Sequence, residues 1–237
     1  MKKMISLLCM AGIFALGFSE SQAQDTRFGV KGGLTYYKGT VDVNLGFLSL
    51  DMESDSDIGF AGGVFAEFPI SDFLSIQPEV LFIQKNSKEE GDPFDLGFDD
   101  FDDETAKTKL SYIDVPLLFK VNIPLEGNAS PFVAAGPFVG YLLDAKATAN
   151  GEDEDLKDYM NNINYGLVFS AGVNFGNLGI ELRYDMGMAN ILDEDALFDD
   201  FDDDFDDDFD DDFDFGFGNI DIDAKLSGFS VMVSFRF

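Results

Sequence analysis

Apolar and polar residues alternate with a period of two over most of this chain. Eight segments show the pattern, each with one predominantly apolar face. They begin near Phe28, Ile58, Ile76, Tyr112, Pro131, Tyr165, Ile180 and Phe229. A period of two puts alternate side chains on opposite faces of a β-strand, whereas a helix repeats its apolar positions every three or four residues. The pattern therefore predicts an all-β chain with eight strands.

The length of these segments and of their connections indicates a membrane barrel. Most segments reach about ten residues, the length that a tilted strand needs to cross a bilayer. The pattern predicts short turns at 69–72, 124–130 and 176–177, and long loops at 38–57, 86–107, 147–161 and 189–221. Short periplasmic turns alternating with long extracellular loops are typical of outer-membrane barrels. We therefore expect an eight-stranded antiparallel up-and-down transmembrane β-barrel with both termini in the periplasm.

Closure of the barrel makes a specific demand on the strands. No backbone polar group can stay unpaired in lipid, so the first strand must pair with the last. Neither of these two strands contains proline, as full pairing requires. Pro78, Pro116 and Pro137 do fall inside predicted strands. Each of them is expected to remove one ladder hydrogen bond or to mark a β-bulge.

The first 23 residues have the features of an export signal. Two lysines precede an apolar run at 4–18, and small residues at Ser21 and Ala23 suit a cleavage site. The run is shorter than the roughly 20 residues of a spanning helix. We expect cleavage between Ala23 and Gln24, which leaves 24–237 as the mature barrel. Cys9 lies inside the signal after the large Leu8, which does not fit a lipoprotein signal.

The composition argues against catalysis and against nucleic acid binding. The chain has no His, its single Cys falls in the signal, and it contains no G-x-S-x-G motif. We therefore expect no enzyme activity, no catalytic residues, no cofactor and no dedicated metal site. The formal net charge of −31 disfavours contact with nucleic acid phosphates.

A set of charged residues falls on the polar face of the predicted strands. Five of these residues are acidic and four are basic, although the chain as a whole is strongly acidic. The predicted lumen charges are Lys31, Glu67, Glu79, Asp114, Lys120, Glu181, Arg183, Asp185 and Arg236. An eight-stranded barrel is just wide enough inside for side chains to fill it, and buried charges need partners. The pattern predicts a packed ion-pair network, with an ion path or small-solute channel as the alternative.

The sequence leaves the orientation of one segment and the environment of the apolar faces undetermined. The segment at 131–146 is apolar on both faces, so its orientation is undetermined. A soluble carrier barrel of the lipocalin type would turn the apolar faces inward around a ligand. The long strands and the expansion of loops at one end favour lipid outside instead.

Several stretches of sequence resemble a known family of membrane barrels. They read FGVKGGLTYY, LSIQPEVLFIQK, LSYIDVPLLFKVN, PFVAAGPFVGYLL and the terminal FSVMVSFRF. These stretches are similar to the outer-membrane β-barrel family typical of Bacteroidetes, known as PorT-like or "porin family" proteins. The resemblance implies an eight-stranded membrane barrel without catalytic residues. It also implies that the terminal Phe237 is a signal for the barrel-assembly machinery.

Two of the predicted long loops carry most of the excess negative charge. In the loop at 189–221, Phe201, Phe205, Phe209 and Phe213 recur every four residues with three Asp between them. The loop at 86–107 is a looser version of the same composition. A solvated low-complexity loop, weak multivalent Ca²⁺ binding, and attachment of a basic surface partner are all compatible with it. The oligomeric state is not determined by the sequence.

Overall fold

The computed structural model describes residues 26–44, 49–90, 105–125, 127–149, 152–193 and 221–237. Within these ranges the chain forms a closed antiparallel barrel of eight strands, which confirms the predicted fold. The barrel strands are β1 (Arg27–Asn44), β3 (Asp55–Pro69), β4 (Leu74–Glu90), β5 (Thr105–Asn122), β6 (Ala129–Ala149), β8 (Ile163–Phe175), β9 (Leu178–Gly187) and β10 (Asp221–Arg236). Two short strands, β2 (Ser49–Glu53) and β7 (Glu152–Asp155), pair with β1 and β6 at the long-loop end. A short 3-10 helix, Lys157–Tyr159, follows β7.

The barrel closes between its first and last strands. The ladder between β1 and β10 runs from Gly29 opposite Arg236 to Asn44 opposite Asp221. This pairing confirms the closure expected for a sheet in lipid, because it leaves neither strand with an open edge.

The two faces of the sheet differ in polarity as the alternation predicts. Apolar side chains form an outward apolar belt, with exposed members such as Phe28, Phe60, Phe119, Val139, Phe169, Leu182 and Val233. The charged residues of the alternate positions point into the lumen and are buried. The soluble-carrier alternative would have required the opposite orientation, so the structure overturns it.

The orientation of the fifth segment is now determined. On β6, Val133, Val139 and Tyr141 face outward, while Phe138 and Leu142 are buried in the lumen. Both faces are apolar because the inward residues of β6 meet the lumen cations with aromatic rings instead of carboxylates. Lys120 Nζ lies 4.3 Å from the centroid of the Phe132 ring, and Lys85 Nζ lies 4.9 Å from that of Phe138.

The three strand prolines leave the register of the barrel unchanged. Pro78 lies opposite Leu117, and Pro137 lies opposite Leu167. The register shifts of the sheet occur elsewhere, between Ser56 and Ala61 on β3 and between Ser111 and Tyr112 on β5. The sequence predicted either a lost ladder hydrogen bond or a β-bulge at each proline, and the unchanged register excludes the bulge.

The strands at the long-loop end extend further than the alternation predicts. Strands β1, β4 and β6 continue to Asn44, Glu90 and Ala149, inside the predicted loops at 38–57, 86–107 and 147–161. The predicted loop boundaries were wrong because the inward and outward faces exchange polarity near this end. The exchange interrupts the apolar–polar alternation, although the strand itself continues. The centres of the acidic loops, 91–104 and 194–220, lie outside the described residues, as do the signal segment and Gln24. No helix among the residues that the structure describes is long and apolar enough to cross a membrane.

Candidate functional site in the barrel lumen

All nine charged residues predicted for the lumen are buried inside the barrel. The structure adds a tenth, Lys85, whose side chain is almost fully buried. Among the described residues, the buried charges are thus five carboxylates and five cations. The lumen charges are therefore balanced, in contrast to the excess of acidic residues in the whole chain.

The charges nearest the short-turn end gather around Glu67. Its Oε2 atom lies 3.2 Å from Lys120 Nζ and 3.4 Å from Arg236 Nη1. Lys120 Nζ also donates to Gln77 Oε1 at 3.1 Å, and Arg236 Nη2 donates to the carbonyl of Gly176 at 2.9 Å. One carboxylate thus joins strands β3, β5 and β10.

Glu79 is the hub of the central part of the network. Its Oε1 accepts hydrogen bonds from Lys31 Nζ and Gln77 Nε2, both at 2.6 Å. Its Oε2 lies 2.9 Å from Arg183 Nη1. Lys31 Nζ in turn lies 2.8 Å from Glu181 Oε2. Glu79 therefore couples Lys31, from β1 two strands away, with Arg183, from β9 on the far side of the lumen. Gln77 connects Glu79 to the cluster at Glu67.

The network continues upward along β9. Arg183 Nε lies 2.6 Å from Asp185 Oδ1, and the Tyr37 hydroxyl donates to the other oxygen of Asp185. A chain of direct contacts therefore runs from Arg236 near the short turns to Tyr37 in the upper lumen. Desolvated charges cost free energy unless they are paired, and this chain pairs them.

Lys85 forms a separate ion pair inside an aromatic cage. Its Nζ lies 2.9 Å from Asp114 Oδ2. The same ammonium lies 4.6 Å from the centroid of the Tyr112 ring, 4.9 Å from that of Phe138 and 5.5 Å from that of Tyr37. Aromatic faces attract cations, so the cage partly replaces the water that Lys85 has lost. The alternation misses Lys85 because Ile83, the inward residue before it, is apolar.

A layer of apolar side chains packs in the upper lumen, and at its lower edge Leu81 lies opposite Asp114 and Met232 lies opposite Glu181. This apolar layer consists of Tyr37, Ala61, Leu81, Ile83, Leu110, Tyr112, Leu142, Ala145, Met160, Ile191, Ala224, Leu226 and Met232. Most of its members belong to barrel strands, but Met160 and Ile191 come from connections between strands. Interiors packed in this way leave few voids large enough for water.

Two mouth segments, 156–161 and 189–193, fold over the long-loop end of the barrel. They are joined by a β-bridge between Met160 and Leu192. The backbone amide of Asn161 also donates to the carbonyl of Ile191 at 2.9 Å. Their apolar side chains pack onto the apolar layer from above, so the mouth segments cover the lumen.

Asn190 fixes one mouth segment to the last strand. Its Oδ1 accepts hydrogen bonds from the amides of Leu192 at 3.1 Å and Ala224 at 3.0 Å. Its Nδ2 donates to the carbonyl of Ile222 at 2.7 Å. Because an amide side chain both donates and accepts, one residue satisfies three backbone groups at the rim. No alternation signals this role, since Asn190 lies outside the predicted strands.

The opposite end of the lumen opens into a vestibule of about 890 Å³. The vestibule is lined by the short turns, by the start of β1 and by the end of β10, including Arg27, Asp72, Asn122, Asn174 and Arg236. The ion pairs of Glu67 lie at its inner end and separate it from the central network. The cavity therefore lies at the short-turn end of the barrel.

The sequence matches a model of a known protein family over residues 21–193. That family is described as the outer membrane protein beta-barrel domain. The match covers well over half of the chain. The chain belongs to this family. Its apolar belt is accordingly the surface that faces the lipid of the outer membrane.

The fold is also similar to those of solved outer-membrane proteins. Neisserial surface protein A is 12% identical with a TM-score of 0.42, and the match covers 90% of this chain and 100% of that one. Ail of Yersinia pestis is 13% identical with a TM-score of 0.35, covering 87% and 98%. OprG of Pseudomonas aeruginosa is 10% identical with a TM-score of 0.47, covering 89% and 95%. No curated protein sequence shows significant similarity to the chain.

The remaining predicted features are only partly within the described residues. Phe237 faces outward, and its amide donates to the carbonyl of Phe28 at 3.0 Å. This contact ties the terminus to β1, and a role in assembly stays a prediction. No group of three or more metal-binding side chains occurs among the described residues. The acidic centres at 91–104 and 194–220, to which the Ca²⁺-binding hypothesis refers, fall outside them.

Proposed function

We propose that this protein is a non-conducting outer-membrane barrel that carries its acidic loops on the cell surface. The observation that carries the proposal is the filled lumen. The charged network meets the apolar layer at Leu81 and Met232, and the mouth segments cover the apolar layer at the long-loop end. Hydrated ions need a continuous polar path as wide as a water molecule, and the apolar layer interrupts any such path. The small-solute channel remains the alternative.

Conductance in planar bilayers tests the closed lumen. Mature protein refolded in detergent is expected to insert without producing regular current steps. Heat-modifiable migration on gels would verify that the inserted sample is folded, and a known porin would verify that the bilayer reports channels. A reproducible unit conductance from the folded protein would overturn the closed-lumen proposal and favour the channel.

The surface display follows from where the acidic segments are attached. Residues 91–104 connect β4 to β5, and residues 194–220 lie between β9 and β10, both at the long-loop end. We infer that this end faces outward, with both termini in the periplasm. An epitope inserted after residue 206 should bind antibody on intact cells, whereas one inserted at Gly127 should bind only after the outer membrane is opened. The reverse labelling would contradict this orientation.

The two remaining roles of the acidic loops are separable by titration. Calorimetric titration of Ca²⁺ into the mature protein and into a variant lacking 199–214 compares the same barrel with and without the Phe/Asp repeat. Heat that disappears with the deletion would support weak cation binding by the repeat. Identical titrations would remove the Ca²⁺ hypothesis, and leave a solvated loop or attachment to a basic partner.

The processing and assembly predictions have direct tests. We propose cleavage of the signal at Ala23, which mass spectrometry of the mature N-terminus would show as a chain beginning at Gln24. We also propose that Phe237 engages the barrel-assembly machinery, so its deletion should lower the amount of folded barrel in cells without altering refolding in detergent. The finer resemblance to PorT-like proteins of Bacteroidetes stays a prediction from sequence motifs.

A further inference from the structure

Four outward-facing lysines lie side by side where the apolar belt of three strands ends. They are Lys88 on β4, Lys107 and Lys109 on β5, and Lys146 on β6, and we call them the lysine row. The β-ladder places Lys88 directly opposite Lys107. It places Lys109 directly opposite Lys146. Two like-charged cross-strand pairs are thus adjacent on one side of the barrel.

Such pairs are unfavourable unless something compensates their charge. Like charges directly opposite one another destabilise a ladder. The chain offers 46 acidic residues against 15 basic ones, so opposite-charge pairs would be the easier arrangement. The concentration of four lysines at adjacent positions therefore indicates an anionic ligand at this surface.

Neighbouring carboxylates compensate only part of the charge. Lys146 Nζ lies 3.6 Å from Asp144 Oδ2, but both side chains are nearly half exposed. Asp55 lies opposite Lys88 on the β3 side, and Asp155 lies opposite Lys146 on the β7 side. Lys107 and Lys109 are exposed, and neither forms an ion pair with any residue whose side chain the structure describes. The centre of the lysine row is thus the part most available to a ligand.

The depth of the lysine row matches the headgroup region of a bilayer. The outward apolar positions of β6 run from Val133 to Leu143. With about 3.4 Å per residue and a tilt of about 40°, they span roughly 26 Å along the membrane normal, close to the apolar band of outer-membrane barrels. Lys146 comes three residues later, about 8 Å beyond the band by the same geometry. Lysine side chains reach back toward such an interface.

We infer that the lysine row binds the phosphate groups of a glycolipid in the outer leaflet. This inference rests on the proposed orientation, in which the long-loop end of the barrel faces outward. Glycolipids of that leaflet carry phosphates on a sugar head just above the acyl chains. A head with two phosphates presents its charges to two lysines at once, which suits the paired arrangement of the row.

The test compares two double variants that remove the same charge. K107Q/K109Q changes the centre of the lysine row. K38Q/K225Q changes two outward lysines on β1 and β10, strands that are not adjacent to β4, β5 or β6 in the barrel. Both variants would be refolded in neutral detergent and titrated with diphosphorylated lipid A, with dephosphorylated lipid A and with phosphatidylglycerol. Because the titration uses detergent, it does not depend on how the barrel is oriented in cells.

The expected result is binding that needs both the phosphates and the row. K107Q/K109Q should weaken the affinity for diphosphorylated lipid A about tenfold or more, since each lysine near an anionic surface contributes about fivefold. K38Q/K225Q should stay within about twofold of the unmodified protein. Without lipid, K107Q/K109Q should be at least as stable as the unmodified protein, because the change relieves repulsion.

Three outcomes would overturn the inference. Equal weakening by both double variants would mean that net charge alone attracts the lipid. Undiminished binding of dephosphorylated lipid A would exclude phosphate recognition. Phosphatidylglycerol binding as tightly as diphosphorylated lipid A would exclude the glycolipid as the preferred ligand. Epitope labelling on intact cells reports the orientation separately, so a wrong orientation and a wrong ligand give different results.

Discussion

The part of the barrel inside the apolar belt and the part beyond it have opposite polarity. Within the belt, the outward Val139 is apolar and the inward Glu79 is charged. Beyond the belt, the inward Leu110 and Ala145 are apolar and buried, while the outward Lys109 is charged and exposed. Strands β5 and β6 continue through both parts, with one register shift between them at Ser111 and Tyr112. The solvent outside each part, lipid or water, therefore decides which face of the same strand is polar.

This reversal changes what holds each part of the lumen together. Inside the belt, a small apolar cluster on β5, β6 and β8 accompanies ion pairs whose members lose water completely, so every charge needs its partner. Beyond the belt, it depends on the packing of apolar side chains, so the shape and volume of each residue matter. The two parts should therefore respond differently to substitutions of similar size.

The largest effect is expected for Glu79→Ala within the charged network. The change removes the carboxylate that contacts both Lys31 and Arg183. Breaking a buried ion pair from one side costs about 3–5 kcal/mol. Urea unfolding of protein refolded in lipid vesicles, followed by tyrosine fluorescence, measures the loss. Val80→Ala, the outward neighbour, is the control and should cost about 1 kcal/mol. A smaller loss for Glu79→Ala than for the control would contradict a stabilising role of the hub.

A somewhat smaller effect is expected for Leu142→Ala in the apolar layer. Leu142 is 0% exposed, whereas its neighbour Leu143 faces outward and is 40% exposed. Truncating a buried leucine costs about 3 kcal/mol, because transfer free energy is lost and a cavity is left. Leu143→Ala should cost about 1 kcal/mol or less. Equal losses in the same unfolding assay would show that the apolar layer is not tightly packed.

Sequence alone predicts the spanning part of this barrel better than the part beyond the belt. The alternation identifies both faces of seven strands and the pairing of β1 with β10, since lipid outside and charge inside give a strong contrast. It fails at Ile83 and Lys85, where an apolar inward residue precedes a charged one. There the apolar layer and the charged network meet, and one face of β4 contains both. Beyond the belt, the outward face of the strand contacts water instead of lipid. The contrast between an apolar outward face and a polar inward face, which identifies the strand, is therefore lost.

The mouth segments could not be predicted for a different reason. Met160 and Ile191 each lie beside one other apolar residue, Tyr159 and Leu192, in polar connections, and no period marks them. Their positions depend on contacts between distant parts of the chain, such as the hydrogen bonds of Asn190 to β10. Loops of this kind are determined by tertiary contacts, whereas the alternation reports only local burial.

A moderate and local effect is expected for Asn190→Ala. The change removes the side chain that bonds Leu192, Ala224 and Ile222, at a cost of about 1–2 kcal/mol. Hydrogen exchange should then become faster at the amides of Leu192 and Ala224 while the amide of Val168, deep in the barrel, keeps its protection. Global unfolding should shift less than for Leu142→Ala. Faster exchange at Val168 as well would mean that the mouth segments stabilise the whole barrel.

The smallest effect is expected for Asp144→Asn, which breaks an exposed ion pair. A buried ion pair with the same spacing along its strand provides the comparison. Asp144 and Lys146 are two residues apart on β6, just as Arg183 and Asp185 are two residues apart on β9. The first pair is 3.6 Å apart with side chains 45% and 46% exposed, while the second is 2.6 Å apart and fully buried. Screening by water should limit the cost of Asp144→Asn to about 0.5 kcal/mol, against several for Asp185→Asn. Equal costs of Asp144→Asn and Asp185→Asn in vesicles would contradict the polarity reversal. They would mean that the exposed and the buried ion pair stabilise the barrel equally.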